Sequence, residues 1–325
     1  MVSQVSRPVL LLLALGLVAA PPALAQDGPS CDPFLALNLA INDVGVGIGD
    51  TKRTTGVRFN FGDRCLQTAN GINATLFPPF TAAGTVNGLA LGLPLTGSSQ
   101  LRGVGVGVGL FFGTPSPERT GAVSGLLLGG IATVSESPAY GLLVGGLGAG
   151  VGADVTGVVL GGGTAVTTAG GRGLLVGGVV AGTGGPSTAL LAGGLASGTT
   201  GRLRGAALSF GAVGVKKQLV GLGVGGVGVG SREAIWGVAV GGGAVGSRHL
   251  TGLGAAGGYL HILKGGTLRG VGIAAANHVR GTQRGLTIGL LNYARELHGV
   301  QIGLLNIARN NSFWTTILPV LNFNL

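Results

Sequence analysis

Between Gly125 and Gly237 one short phrase recurs at a fixed sixteen-residue step, and no other feature of the chain restricts its fold as strongly. The units read GLLLGGIATVSESPAY from Gly125, GLLVGGLGAGVGADVT from Gly141, GVVLGGGTAVTTAGGR from Gly157 and GLLVGGVVAGTGGPST from Gly173. They continue with drifting letters from Ala189, Gly205, Gly221 and Gly237. Beyond residue 250 the step becomes irregular. It ends at fourteen, where Gly285, Ile288, Gly289, Leu290, Leu291 and Asn292 recur as Gly299, Ile302, Gly303, Leu304, Leu305 and Asn306. A fixed period of this length marks one supersecondary unit repeated as an array.

Each unit has an apolar, Gly-rich body of ten or eleven residues and a polar gap of four to six. Glu136, Asp154, Arg172, Arg202, Lys216, Lys217, Arg232, Glu233, Arg248, Arg280, Arg295 and Arg309 fall in or beside the gaps. A helix is a poor choice for the body, since each interior Gly costs about 1 kcal/mol there. Val, Leu, Ile and Thr dominate the remaining positions, and Gly103 to Phe112 alternates openly, so the units read as strands. Packed transmembrane helices are also too long for these runs, because a span needs about 20 apolar residues. The many GxGxxG-like strings lack the following helix and the acidic residue that a dinucleotide loop requires.

Composition agrees with an unusual environment. Gly accounts for 70 of 325 residues and charged residues for 9%, against roughly a quarter charged in ordinary soluble domains. Residues 1–25 read as a secretory signal: Arg7, an apolar stretch from Val9 to Ala20, and the Ala23-Leu24-Ala25 cleavage pattern. The remainder, 26–325, is read as a single β domain, less regular over 26–100 and built from tandem repeats of about 14–17 residues over 101–325. Two cysteines, Cys31 and Cys65, suit one disulfide in an exported chain. The formal net charge is +10, but the cations are scattered singly along the sequence, which argues against a nucleic-acid partner.

Two architectures can use a sixteen-residue strand unit. Eleven residues tilted in a membrane span roughly 28 Å, so the units fit an antiparallel β-barrel of the outer-membrane type with 14 to 18 strands, hairpin turns at Ser135–Pro138, Thr183–Pro186, Lys264–Gly266 and Arg309–Asn311, and irregular early strands including Leu35–Ile48. The alternative is a β-solenoid, one coil per unit. Near-identity of the units favours the solenoid, as do Asn277, Asn292, Asn306 and Asn322, which hold one position per unit and could form a ladder between parallel coils. The bodies are apolar along both parities, which favours lipid outside and hence the barrel. The barrel is the leading expectation. It places Val300, Ile302 and Leu304 toward lipid, and Gly299, Gln301 and Gly303 toward a lumen.

The phrase Gly299-Val300-Gln301-Ile302-Gly303-Leu304-Leu305-Asn306 resembles the tandem unit G-x-Q-I-G-L-x-N of the bacterial surface repeat-containing proteins, and Gly285 to Asn292 matches it well. The match is partial at Gly270 to Asn277, where Ala274 replaces the second Gly, so the specific likeness covers about 40 to 55 residues. The resemblance implies an exported, envelope-associated protein without a known enzymatic role.

Catalytic chemistry finds little material. His249, His261, His278 and His298 lie in or near the expected turns without ligand spacing, and no zincin, paired-Cys or Ser-His-Asp signature occurs. Asp32, Asp43, Asp50 and Asp63, with Asn38 and Asn42, could form a cation site, although loop solvation accounts for them as well. The expectation is therefore a non-enzymatic outer-membrane barrel, structural or weakly pore-forming, with membrane lipid as partner and no cofactor, metal or small-molecule substrate. The alternative is a secreted or surface-attached β-solenoid in adhesion or matrix formation.

Overall fold

The computed structural model describes residues 36–61, 65–76, 84–113 and 121–324. The expected signal segment, Asp32, Asp63 and Cys31 lie outside the described residues; Cys65, the expected partner of Cys31, is buried. All described strands belong to one sheet, and the only helical element among them is a 3-10 turn, Phe313–Thr315.

The architecture is a β-solenoid of about fifteen turns, not a barrel. Successive units pair in parallel and in register, as Val155–Gly161 does with Ala139–Gly145 on one side and Gly171–Gly177 on the other. Two pairings are antiparallel, Leu37–Ile41 with Val44–Ile48 at one end and Leu291–Ala308 with Ile317–Asn324 at the other. Within the expected single strand Leu35–Ile48, residues 37–48 thus form a hairpin, turned by Asn42 and Asp43 at φ 53° and 63°, the backbone that a two-residue primed turn requires. At the usual rung spacing of about 4.8 Å, fifteen turns make a rod roughly 70 Å long.

One coil shows how sixteen residues close a turn. Ala153 and Val155 point inward, then Val159 and Gly161, then Ala165 and Thr167. Bends separate these three short sides: Gly157 at φ 138°, the Gly162-Gly163 pair, and Thr168 to Gly170. The first bend interrupts the two-residue alternation inside a continuous strand, so Thr156, Gly157 and Val158 are all unburied in succession.

The residue at that bend forms a column through the whole rod. It runs Gly45, Gly56, Gly71, Gly88, Gly103, Gly125, Gly141, Gly157, Gly173, Ala189, Gly205, Gly221, Gly237, Gly252, Gly270, Gly285 and Gly299. Every glycine in it has positive φ, and a Cβ at Gly157 would overlap the carbonyl oxygen of Gly141. Glycine serves there twice, for the backbone conformation and for the close approach of rungs; Ala189 is the exception, buried and without positive φ, in a strand that alternates through the position. This column supplies the first letter of each sequence unit. The irregularly spaced glycines before residue 101 belong to the same stack.

The interior changes character along the rod. Leu127, Leu143, Val159, Leu175 and Leu191 share one inward column and form part of the aliphatic core. Toward the ends, the same column carries Arg58 and Asn73, then Thr287 and Gln301, all fully buried. Arg58 is held by Thr51 Oγ1 (3.0 Å), Asn73 Oδ1 (2.9 Å) and Asp50 Oδ1 (3.3 Å). Such a guanidinium is tolerated inside only because its donors are met.

The barrel expectation fails for a definite reason. Both parities of the units are apolar, as lipid exposure would demand, but one parity fills the solenoid core while the other covers a single outer side. Gln301 points into a packed core rather than a lumen, and Ile302 and Leu304 are exposed.

Candidate functional site: an apolar side and a cationic vertex

Two outward positions follow each bend glycine, and both are apolar at every rung. The first column is Val46, Val57, Ile72, Leu89, Val104, Leu126, Leu142, Val158, Leu174, Leu190, Ala206, Leu222, Val238, Leu253, Val271, Leu286 and Val300. The second is Ile48, Phe59, Ala74, Leu91, Val106, Leu128, Val144, Leu160, Val176, Ala192, Leu208, Val224, Val240, Ala255, Ile273, Ile288 and Ile302. The Gly-Gly bend beyond them adds exposed Leu147, Val179, Leu195 and Val227. The strip measures roughly 70 Å by 10 Å from rung spacing and strand rise. That exceeds the few hundred Å² usual for the largest patch on a soluble monomer.

The opposite rim of this side, one residue before the bend glycine, has a different chemistry. Arg102, Arg172, Arg204, Arg269 and Arg284 occupy that column together with Tyr140 and Trp236, all exposed, and no acidic residue interrupts it. His298 ends the column beside Arg284.

The vertex farthest from the apolar side carries a second set of cations. Arg280 and Arg295 follow the paired residues Val279 and Ala294, and Arg309 N–H donates to Ala294 O at 3.1 Å, which sets Arg309 on the next rung. Sequence reading sees these charges as scattered singly. A sixteen-residue turn gathers them into a line.

The repeat asparagines divide into two groups. Asn277 Nδ2 donates to Asn292 Oδ1 (2.8 Å), and Asn292 Nδ2 donates to Asn306 Oδ1 (2.7 Å), a buried ladder across three parallel coils. Asn277 Oδ1 is left without a partner because the next residue down its column is Leu260. Asn322 does not extend the ladder. It lies in the antiparallel end strand opposite Gln301, buried, with its Oδ1 accepting from Asn311 Nδ2 (2.8 Å).

All four histidines sit in strands rather than turns. His261 and His278 are register partners whose rings stack with centroids 5.3 Å apart; Tyr259 Oη and His278 Nδ1 are hydrogen-bonded at 2.6 Å, and Tyr293 meets His278 edge-on. Burial lowers the pKa of both imidazoles; the neighbouring Arg280 charge adds to the effect, as does His261 on His278. Among the described residues no group of three His, Cys, Asp or Glu side chains could hold a metal ion. Asp43 and Asp50 face Arg53 and Arg58 instead, at 3.8 and 3.3 Å.

These features define a class, a parallel β-solenoid with one apolar side and one charged vertex. Comparison with protein-family models, curated proteins and solved structures returns no match to the chain.

Proposed function

We propose that the chain is a non-enzymatic, surface-attached solenoid that acts in adhesion or matrix formation, and that it rests on lipid by its apolar side. The observation that carries this reading is the uninterrupted pair of apolar columns, rimmed by arginines, a tyrosine and a tryptophan. An apolar face with basic and amphipathic aromatic residues at its edge matches the water–lipid boundary, where the first enters the acyl region and the others meet headgroups. The signal-like N-terminus and the likeness to surface repeat proteins favour an exported, envelope-associated location.

Flotation with vesicles of phosphatidylcholine and phosphatidylglycerol tests the proposal. The parent protein is expected to float with the vesicles. A Leu174→Glu/Leu222→Glu variant should remain below while keeping its β circular dichroism, because both side chains point away from the core. A parent that stays with the soluble fraction, or a variant that floats equally well, overturns the lipid assignment.

A further inference from the structure

We propose that the cationic vertex from Arg232 to Arg309 is a binding track for a linear acidic polysaccharide. Arg232, Arg248, Arg280, Arg295 and Arg309 hold one position of the turn on five of six successive rungs and are exposed; on the remaining rung that position is Leu263, and exposed Lys264 follows it. Like charges on neighbouring rungs oppose folding, and the fold does little to offset them. The ion pairs among the described residues, Arg53–Asp43 and Arg58–Asp50, lie at the other end of the rod. Glu233 and Glu296 share the vertex, and the carboxylate of Glu296 accepts from Thr282 Oγ1 at 2.8 Å. The equivalent bends of earlier coils carry Thr168, Gly184 and Thr200, so the shape of the vertex does not require a cation. A row of charges that the fold does not need points to something outside it.

The spacing and surroundings select the polymer. Rungs repeat at about 4.8 Å, close to the length of one hexuronate residue, so the carboxylates that face the rod recur in step with its rungs. Duplex DNA places its phosphates at about 3.4 Å along each strand, out of step with the rungs. A cleft of about 420 Å³ is lined by Lys264, Arg280, Arg295 and Arg309 together with Tyr293, Asn310 and one carboxylate, Glu296, so cations outnumber acids there by four to one. Tyr293 stands edge-on to His278 beside the stacked His261 and His278 rings, so aromatic surface that sugar rings can pack against adjoins the track. The vertex is farthest from the apolar side, so a rod lying on lipid would turn the track toward the surrounding matrix.

Binding of the full-length protein to polygalacturonate, measured by calorimetry across a salt series, tests this. Micromolar or tighter binding that weakens with salt is expected, with no heat from uncharged dextran. Arg280→Gln/Arg295→Gln should lose about tenfold or more in affinity, since each lost contact removes part of a multivalent hold, while its melting temperature stays within a few degrees of the parent. Absence of binding at low salt, unchanged affinity in the double variant, or tighter binding to single-stranded oligothymidylate would overturn the proposal, the last in favour of nucleic acid. The lipid reading fails separately: Leu174→Glu/Leu222→Glu should lose vesicles and keep polygalacturonate, and Arg280→Gln/Arg295→Gln should do the reverse.

Discussion

At the scale of single residues, two glycines of similar sequence context have opposite meanings. Gly157 sits at φ 138° with the carbonyl of Gly141 where a Cβ would go, so Gly157→Ala meets both strain and a clash. A cost of about 1 to 3 kcal/mol follows from the backbone alone. Gly230 faces outward with ordinary φ and nothing within 4 Å of a Cβ, so Gly230→Ala should be neutral or stabilising by about 0.4–1 kcal/mol. Urea unfolding of both variants checks the contrast, and equal losses would remove the distinction. The same scale reverses the barrel's expectation for the last repeat. Gln301 is fully buried with its Nε2 on Gln283 Oε1 (3.1 Å), whereas Ile302 is 40% exposed. Gln301→Arg should therefore abolish soluble folded yield, and Ile302→Arg should leave it near that of the parent. Cys31 and Cys65 are expected to form one bridge, read as a mass gain of two alkyl groups only after reduction.

At the scale of elements, the strands from Tyr259 to Ala308 carry stacked rings and buried amides that the strands from Ala139 to Thr199 lack. Their His261–His278 stack has a pH consequence. Burial lowers both pKa values below the ordinary 6.5, so the folded state holds fewer protons than the unfolded chain in that range. The stability that the neutral stack contributes is present above about pH 6.5 and is lost as pH falls through the lowered folded values. The melting temperature should thus fall between pH 7 and pH 5, and His261→Phe/His278→Phe should flatten that part of the profile. A drop of equal size in the double variant would assign the effect elsewhere. Four histidines were visible in the sequence, but their pairing was not. His261 and His278 are seventeen residues apart, and the turn around Lys264, two residues longer than that of the next coil, obscures the step that brings them into register.

At the scale of the whole molecule, a stack of parallel strands has two open edges, and this rod closes both with antiparallel strands. Ile317–Asn324 covers the edge of Leu291–Ala308, pairing Ile302 with Leu321 and Gly299 with Asn324. Deleting residues 310–325 should expose the largely apolar strand edge from Gly299 to Ile307 and drive end-to-end association. Sedimentation velocity of the shortened chain is expected to show growing oligomers under conditions where the full chain gives one species. A shortened chain that stays monomeric would show that the last strand is dispensable as a cap. The apolar side and the cationic vertex also belong to this scale. Neither is a local motif, since each residue in them is a whole turn from its neighbour.

The sequence by itself determined the unit: its length, its strand character, the glycine that opens it and the gap that carries its charges. Those features follow from local physics, the helix penalty of glycine and the two-residue alternation of a strand. Only the tertiary structure decided whether consecutive units run parallel or antiparallel, because a sixteen-residue strand-and-turn phrase suits a coil as well as a hairpin. Apolarity on both parities appeared to place lipid around a barrel, yet alternation reveals two faces without saying what covers each. The deciding contacts lie between residues sixteen apart, where Gly141, Gly157 and Gly173 bring their backbones too close for any side chain. That approach exists only when every coil turns at the same residue, and it sets core, apolar side and charged vertex together.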